Sequence, residues 1–142
     1  MSHSLSRVFV HLVWTTKNRT PWIGAGLDRS LRDLYAARSA KLNLELLAFG
    51  AFDDHVHVVI RLPLTRSVAD VVRAFKSESA VVLARSLSPE VFRWQTGYGA
   101  FSVDADNVEP VVRYVETQRD HHRLGTDNAP WEQIERDDEP NG

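Results

Sequence analysis

The sequence predicts an α+β fold: a four-stranded antiparallel sheet in the order β-α-β-β-α-β, followed by an additional C-terminal helix. Three observations predict it. Short β-branched and aromatic runs recur at residues 7–17, 44–52, 55–62 and 99–103. Stretches with apolar residues at helical spacing follow the first, third and fourth of these runs. Only Asp53-Asp54 separates the second run from the third, a gap that suits an antiparallel hairpin. This order is the ferredoxin-like split βαβ pattern. Its helices cover one face of the sheet, and the other face is expected to lie open for a dimer partner or a nucleic acid.

The elements follow in order. Residues 7–17 (RVFVHLVWTTK) form the first strand. Pro21 and Gly24-Ala-Gly26 mark a loop. Asp28 is a fair N-cap for a helix to about Lys41, with Leu27, Leu31, Leu34, Tyr35 and Leu42 at helical spacing. Residues 44–52 and 55–62 are the hairpin strands, ended by Pro63. Ser67 caps a second helix to about Arg85, with Val68, Val71, Val72, Phe75, Ser79 and Val82 along one side. A loop over 86–97 leads to the short fourth strand. Asp106 or Asn107 caps a last helix to about His122, with Pro110 in its first turn, where the missing N–H is tolerated.

The 142 residues suit one domain, read as 1–126, with 127–142 as a solvated acidic tail. An apolar fraction of 43% with 25% charged residues is that of a globular protein. The absence of cysteine excludes a disulfide scaffold, a thiolate zinc site and a cysteine nucleophile. The longest apolar run, Val8 to Trp14 with His11 inside it, is far short of the roughly 18 residues of a membrane span. The first residues carry no apolar leader, so a cytoplasmic address is expected. A net charge of −2 argues at first against nucleic acid, but the tail carries 6 acidic residues against 1 basic. Residues 1–126 carry 16 basic against 13 acidic, a modest positive balance. If the tail screens a basic groove, its removal tightens binding at low salt.

The most informative segment is Asp54-His55-Val56-His57. On a strand His55 and His57 share a face, while Val56, Val58, Ile60 and Leu62 share the other. The valine-rich face belongs against the helices, which puts both histidines on the open face with ring nitrogens able to converge on a divalent metal. Two surface histidines that hold nothing are the alternative. On the last helix Tyr114 and Gln118 are four residues apart and share a face, beside a stripe of Val108, Val111, Val112 and Val115. Two imidazoles and an amide oxygen would leave open positions on a metal for phosphate oxygens. A tyrosine beside that metal could then attack phosphorus, once its pKa of about 10 is offset by nearby positive charge. Tyr98 is the competing nucleophile, but it sits between glycines with no such residue one turn on. His121 and His122 are expected to favour the helix C-terminus over acting as further ligands.

At these residues the chain resembles the single-tyrosine HUH transposases, the insertion-sequence 200/605 group and its REP-associated relatives. His55-Val-His57 matches the His-hydrophobic-His motif and Tyr114-Val-Glu-Thr-Gln118 the Tyr-x-x-x-Gln motif. His11-Leu-Val-Trp14-Thr-Thr-Lys17-Asn-Arg19, Phe75-Lys76-Ser77 and Trp94-Gln-Thr-Gly-Tyr98-Gly99-Ala-Phe-Ser102 are similar to further family segments, in the family's order. The resemblance implies transposition by transesterification on single-stranded, hairpin-bearing DNA. It implies Tyr114 as the nucleophile that forms a 5′-phosphotyrosine, and His55, His57 and Gln118 as ligands of Mg²⁺ or Mn²⁺. It also implies a homodimer in which the tyrosine helix completes either its own or the partner's site, with no nucleotide cofactor. For DNA contacts the candidates are Lys17, Arg19 and Lys76 for phosphates, with Trp14 and Trp94 as stacking groups whose alternative is core packing. Two other classes compete: a non-catalytic nucleic-acid-binding dimer of the same fold, and a metal-dependent phosphodiesterase that uses water.

Overall fold

The structure is a computed structural model that describes residues 5–87 and 92–125. Alternation along the strands sorts the side chains between two faces. Val10, Leu12 and Trp14 of β1 (Phe9–Thr15) and Val56, Val58 and Ile60 of β3 (His55–Arg61) enter the main core, with Phe49 and Ala51 of β2 (Glu45–Phe52). Over this face lie α1 (Asp28–Lys41), through Leu31 and Tyr35, and α2 (Val68–Ser86), through Val71, Val72, Phe75 and Leu83. With β4 (Gly99–Val103) the sheet order is β2-β3-β1-β4, every neighbour antiparallel. That is the predicted ferredoxin-like arrangement, and the Asp53-Asp54 turn joins the paired Phe52 and His55.

The second face is not open, and the expectation is corrected. α3 (Val108–Glu116) lies on it, packing Val111 and Val115 against Ala48 and Val59. α4 (Gln118–Leu124) carries the chain onward over β2. The valine stripe of α3 needs an apolar partner, and its own sheet supplies one. Gly50 allows the close approach: a Cβ there would stand 1.6 Å from the Val115 carbonyl oxygen.

The predicted single last helix is broken at Thr117 (φ −112°, ψ 32°). Thr117 Oγ1 donates to the Arg113 carbonyl at 2.7 Å, and the Gln118 side-chain amide donates to the Tyr114 carbonyl at 3.4 Å. Side-chain groups thus compete for carbonyls at the end of α3. Beyond the break, the Arg119 guanidinium holds Asp28 through two contacts of 2.8 Å, Asp53 at 2.8 Å and the Ile23 carbonyl at 3.0 Å. This clamp explains a second correction. Asp28 is the first residue of α1 rather than its cap, and its carboxylate serves Arg119. Ser67 does cap α2, accepting from the Asp70 N–H at 3.1 Å.

No helix among the described residues is long and apolar enough to cross a membrane. The acidic stretch 127–142 lies outside the described residues.

Candidate active site

Strand alternation brings His55 and His57 to the face that α3 and α4 cover, and both are fully buried there. Their ring centroids are 5.0 Å apart. Gln118 enters from the first position of α4, with Oε1 3.2 Å from His55 Nε2. Tyr114 comes from the last turn of α3, half-buried, its ring edge-on to His57 at 6.0 Å. The four residues predicted from two separate motifs are therefore brought together within one chain.

The chemistry of this donor set can be tested on its hydrogen bonds. His55 Nδ1 is 2.7 Å from Asp54 Oδ1. Burial pushes the Asp54 carboxyl up, but the His55 hydrogen bond and charge and the Arg19 guanidinium outweigh it, so it sits below the usual carboxylate range. Ionised Asp54 can only accept, so Nδ1 carries the proton. The Gln118 amide donates to the Tyr114 carbonyl, which turns its oxygen toward His55. A neutral His55 then presents the Nε2 lone pair to an oxygen lone pair. Two acceptors facing each other at 3.2 Å call for positive charge between them: a second proton on the imidazole, or a cation. Adjacent donors on an octahedral Mg²⁺, each at about 2.1 Å, stand about 3 Å apart, so the spacing suits a shared cation. A carboxylate on the far nitrogen of the imidazole is the usual support of a metal-ligating histidine. The residues present fit a divalent ion. Among the described residues no group of three or more His, Cys, Asp or Glu side chains is placed to hold a metal ion, so a site here would have only the two histidines and the Gln118 amide oxygen to draw on.

Several residues around the site were not foreseen. Asp54, next to the His-Val-His motif, supports His55 through a side-chain contact that the motif itself does not display. The His121 ring stacks on Tyr114 at 4.5 Å. His122 stacks on Phe52 at 4.3 Å and stands edge-on to His55 at 4.9 Å. Both histidines therefore face into the site, beyond the helix-end role expected of them. A helical reading of residues 114, 118, 121 and 122 as one cluster would have found them.

The candidate DNA contacts divide. Lys17 is exposed. Arg19 lies 3.4 Å from Asp54 and so supports the carboxylate behind His55. The Lys76 ammonium donates to the carbonyls of Gln95 at 2.8 Å and Gly97 at 2.9 Å, pinning the loop before β4. Trp14 is corrected: it is fully buried against Tyr35, Phe75 and Trp94 and has no face to offer a base. Trp94 packs edge-on against Trp14 and Phe92, and its indole N–H donates to Ser79, so it too serves the core.

Fold and site together define a class: a ferredoxin-like domain whose central strand presents a histidine pair to a tyrosine and a glutamine on the closing helices. Residues 4–118 match the family described as Transposase IS200 like. The chain belongs to that family, whose activity is DNA transposition, as the motifs implied. It is 25% identical over 116 residues to the ISDra2 transposase TnpA of Deinococcus radiodurans, covering 78% of this chain and 83% of that relative. Two solved structures share the fold. One, described as a transposase from Deinococcus radiodurans R1, has a TM-score of 0.66 and 22% identity, over 83% of this chain and 95% of that one. The other is a REP-associated tyrosine transposase bound to a REP hairpin, with a TM-score of 0.62 and 13% identity, over 89% of this chain and 74% of that one.

Proposed function

We propose that this chain is a metal-dependent strand transferase for single-stranded DNA that works through a 5′-phosphotyrosine. The observation that carries the reading is the convergence of Tyr114 and Gln118 on His55 and His57 across more than fifty residues of sequence. When Mg²⁺ or Mn²⁺ is bound by His55, His57 and Gln118, it supplies positive charge to a scissile phosphate and to the charge that develops on it.

The other roles fall to the chain's own residues. Asp54 keeps the proton of His55 on Nδ1, and Gln118 is aimed by its bond to the Tyr114 carbonyl. The Tyr114 oxygen attacks phosphorus. A bond from that oxygen to phosphorus forms and the bond from phosphorus to the 3′ oxygen breaks. The phenol gives up its proton and the departing 3′ oxygen gains one. The strand is left with a 5′ phosphate on Tyr114 and a free 3′-OH. Attack by a 3′-OH on that phosphate reverses the exchange and restores the phenol. The phosphodiester bond is conserved as a phosphotyrosine ester, so no nucleotide cofactor is needed. The REP hairpin held by a structural relative supports hairpin-bearing DNA as the substrate. A homodimer is part of the proposal as a way to hold two DNA ends, since one chain already brings all four site residues together.

The test is incubation with a hairpin-bearing single strand and Mn²⁺, followed by a denaturing gel. Wild type is expected to give a covalent protein–DNA band and Tyr114→Phe none. An equal band from Tyr114→Phe would overturn the nucleophile assignment. Turnover without any band would favour hydrolysis by water.

A further inference from the structure

His11 lies on β1 among apolar neighbours and is fully buried. It faces the same side of the sheet as the site. In the register of β1 on β3, His11 pairs with Val59 and Val13 pairs with His57. His11 and His57 are therefore diagonal neighbours on one face, within reach of long side chains. His11 Nε2 is 2.8 Å from His57 Nδ1, a buried hydrogen bond between residues 46 positions apart. The two rings stack at 5.0 Å with 26° between their planes, and Phe101 stands against the other side of His11 at 5.7 Å. The His11 ring is thus held in place from both sides, and it holds the His57 ring in turn.

A hydrogen bond between two neutral imidazoles needs one proton donor and one lone pair. If His57 is to offer Nε2 to a metal, its proton must sit on Nδ1. The only arrangement then compatible with the 2.8 Å contact is donation from His57 Nδ1 to the His11 Nε2 lone pair. His11 would do for His57 what Asp54 does for His55, but with a neutral acceptor in place of a carboxylate.

We propose that His11 is a positioning residue that fixes the tautomer and ring direction of His57 for metal binding. Its Nε2 is engaged by His57 and so is not offered as a ligand. This inference rests on the proposed metal role of His55, His57 and Gln118.

The experiment uses the full chain and four proteins: wild type, His11→Phe, His11→Gln and His57→Ala. Mn²⁺ affinity is measured by calorimetry without DNA. His11→Phe keeps a flat ring in the core but removes the acceptor, and affinity is expected to fall roughly ten- to a hundredfold. His11→Gln restores an acceptor oxygen at similar reach and is expected to recover part of the loss. In the Mg²⁺-saturated wild type, ring ¹⁵N shifts are expected to show His57 protonated on Nδ1 and His11 bare at Nε2. That measurement needs no variant to fold. A bare His57 Nδ1 would overturn the positioning role. So would wild-type Mn²⁺ affinity in His11→Phe while His57→Ala binds none. Equal affinity in wild type and His57→Ala, or no binding by wild type, would instead overturn the metal reading and this inference with it.

Discussion

Replacing Gly50 by alanine tests how the tyrosine helix is seated. Gly50 lies on β2 directly under the end of α3. An added Cβ would stand 1.6 Å from the Val115 carbonyl oxygen, 2.7 Å from its carbon and 3.2 Å from Gln118 Cγ. Two of those atoms are backbone, so no side-chain rotation relieves the clash. The approach must open from 1.6 Å to at least the 3.0 Å that real contacts keep. Because Tyr114 and Gln118 flank Val115, α3 carries both away from the histidines as it lifts. Overpacking of this kind costs about 1–3 kcal/mol, equivalent to about 4–12 °C in melting temperature for a domain of this size. Displacement of reacting groups by about 1 Å costs roughly a hundredfold in rate. The assays are thermal unfolding and the initial rate of covalent adduct formation. Gly50→Ala is expected to remain folded but to form adduct at least a hundredfold more slowly. A wild-type rate would show that α3 does not rest on β2 in the reacting form, and the account of the site would fail.

Three further outcomes follow from the same contacts. Arg119→Ala removes the clamp on Asp28, Asp53 and the Ile23 carbonyl, a partly exposed cluster, and is expected to cost about 1–2 kcal/mol and to speed amide exchange in α4; unchanged exchange would contradict the clamp. In metal-free protein, the stability from Asp54 is complete above its unfolded value of about 3.9 and is lost as pH falls through its lower folded value. The gap in urea midpoint between wild type and Asp54→Asn should therefore hold near neutrality and close in acid; a gap that persists to pH 2 would contradict it. Lys17→Ala should leave melting unchanged and lower the salt slope of single-strand binding by about 0.7, whereas Lys76→Met should lower the melting temperature because its ammonium ties down Gln95 and Gly97; the reverse pattern would exchange their roles.

What the sequence revealed depends on the range of the physics involved. Alternation along residues 55–62 and the four-residue step from Tyr114 to Gln118 are local geometry, so the histidine pair and the helix face were both legible. The same alternation places Trp14 with Val10 and Leu12 in the core, and applying it there would have withdrawn Trp14 as a stacking group. The docking of α3 was not legible. A valine stripe says that a helix has an apolar face but not which surface covers it. At the break the Thr117 hydroxyl bonds the Arg113 carbonyl and the Gln118 amide bonds the Tyr114 carbonyl, and helical periodicity carries no trace of either bond. His11 read as an interruption of an apolar strand because its partner is 46 residues away and only the strand register brings the two together.

Tyr114, His55, His57 and Gln118 are proposed to act as one strand-transfer site. The most direct measurement is mass spectrometry of the proteolysed adduct made with hairpin-bearing single-stranded DNA and Mn²⁺. A nucleotide joined through its 5′ phosphate to the peptide that contains Tyr114 is expected, with no such product from His57→Ala. An adduct on Tyr98, or strand cleavage with no adduct on any peptide, would contradict it.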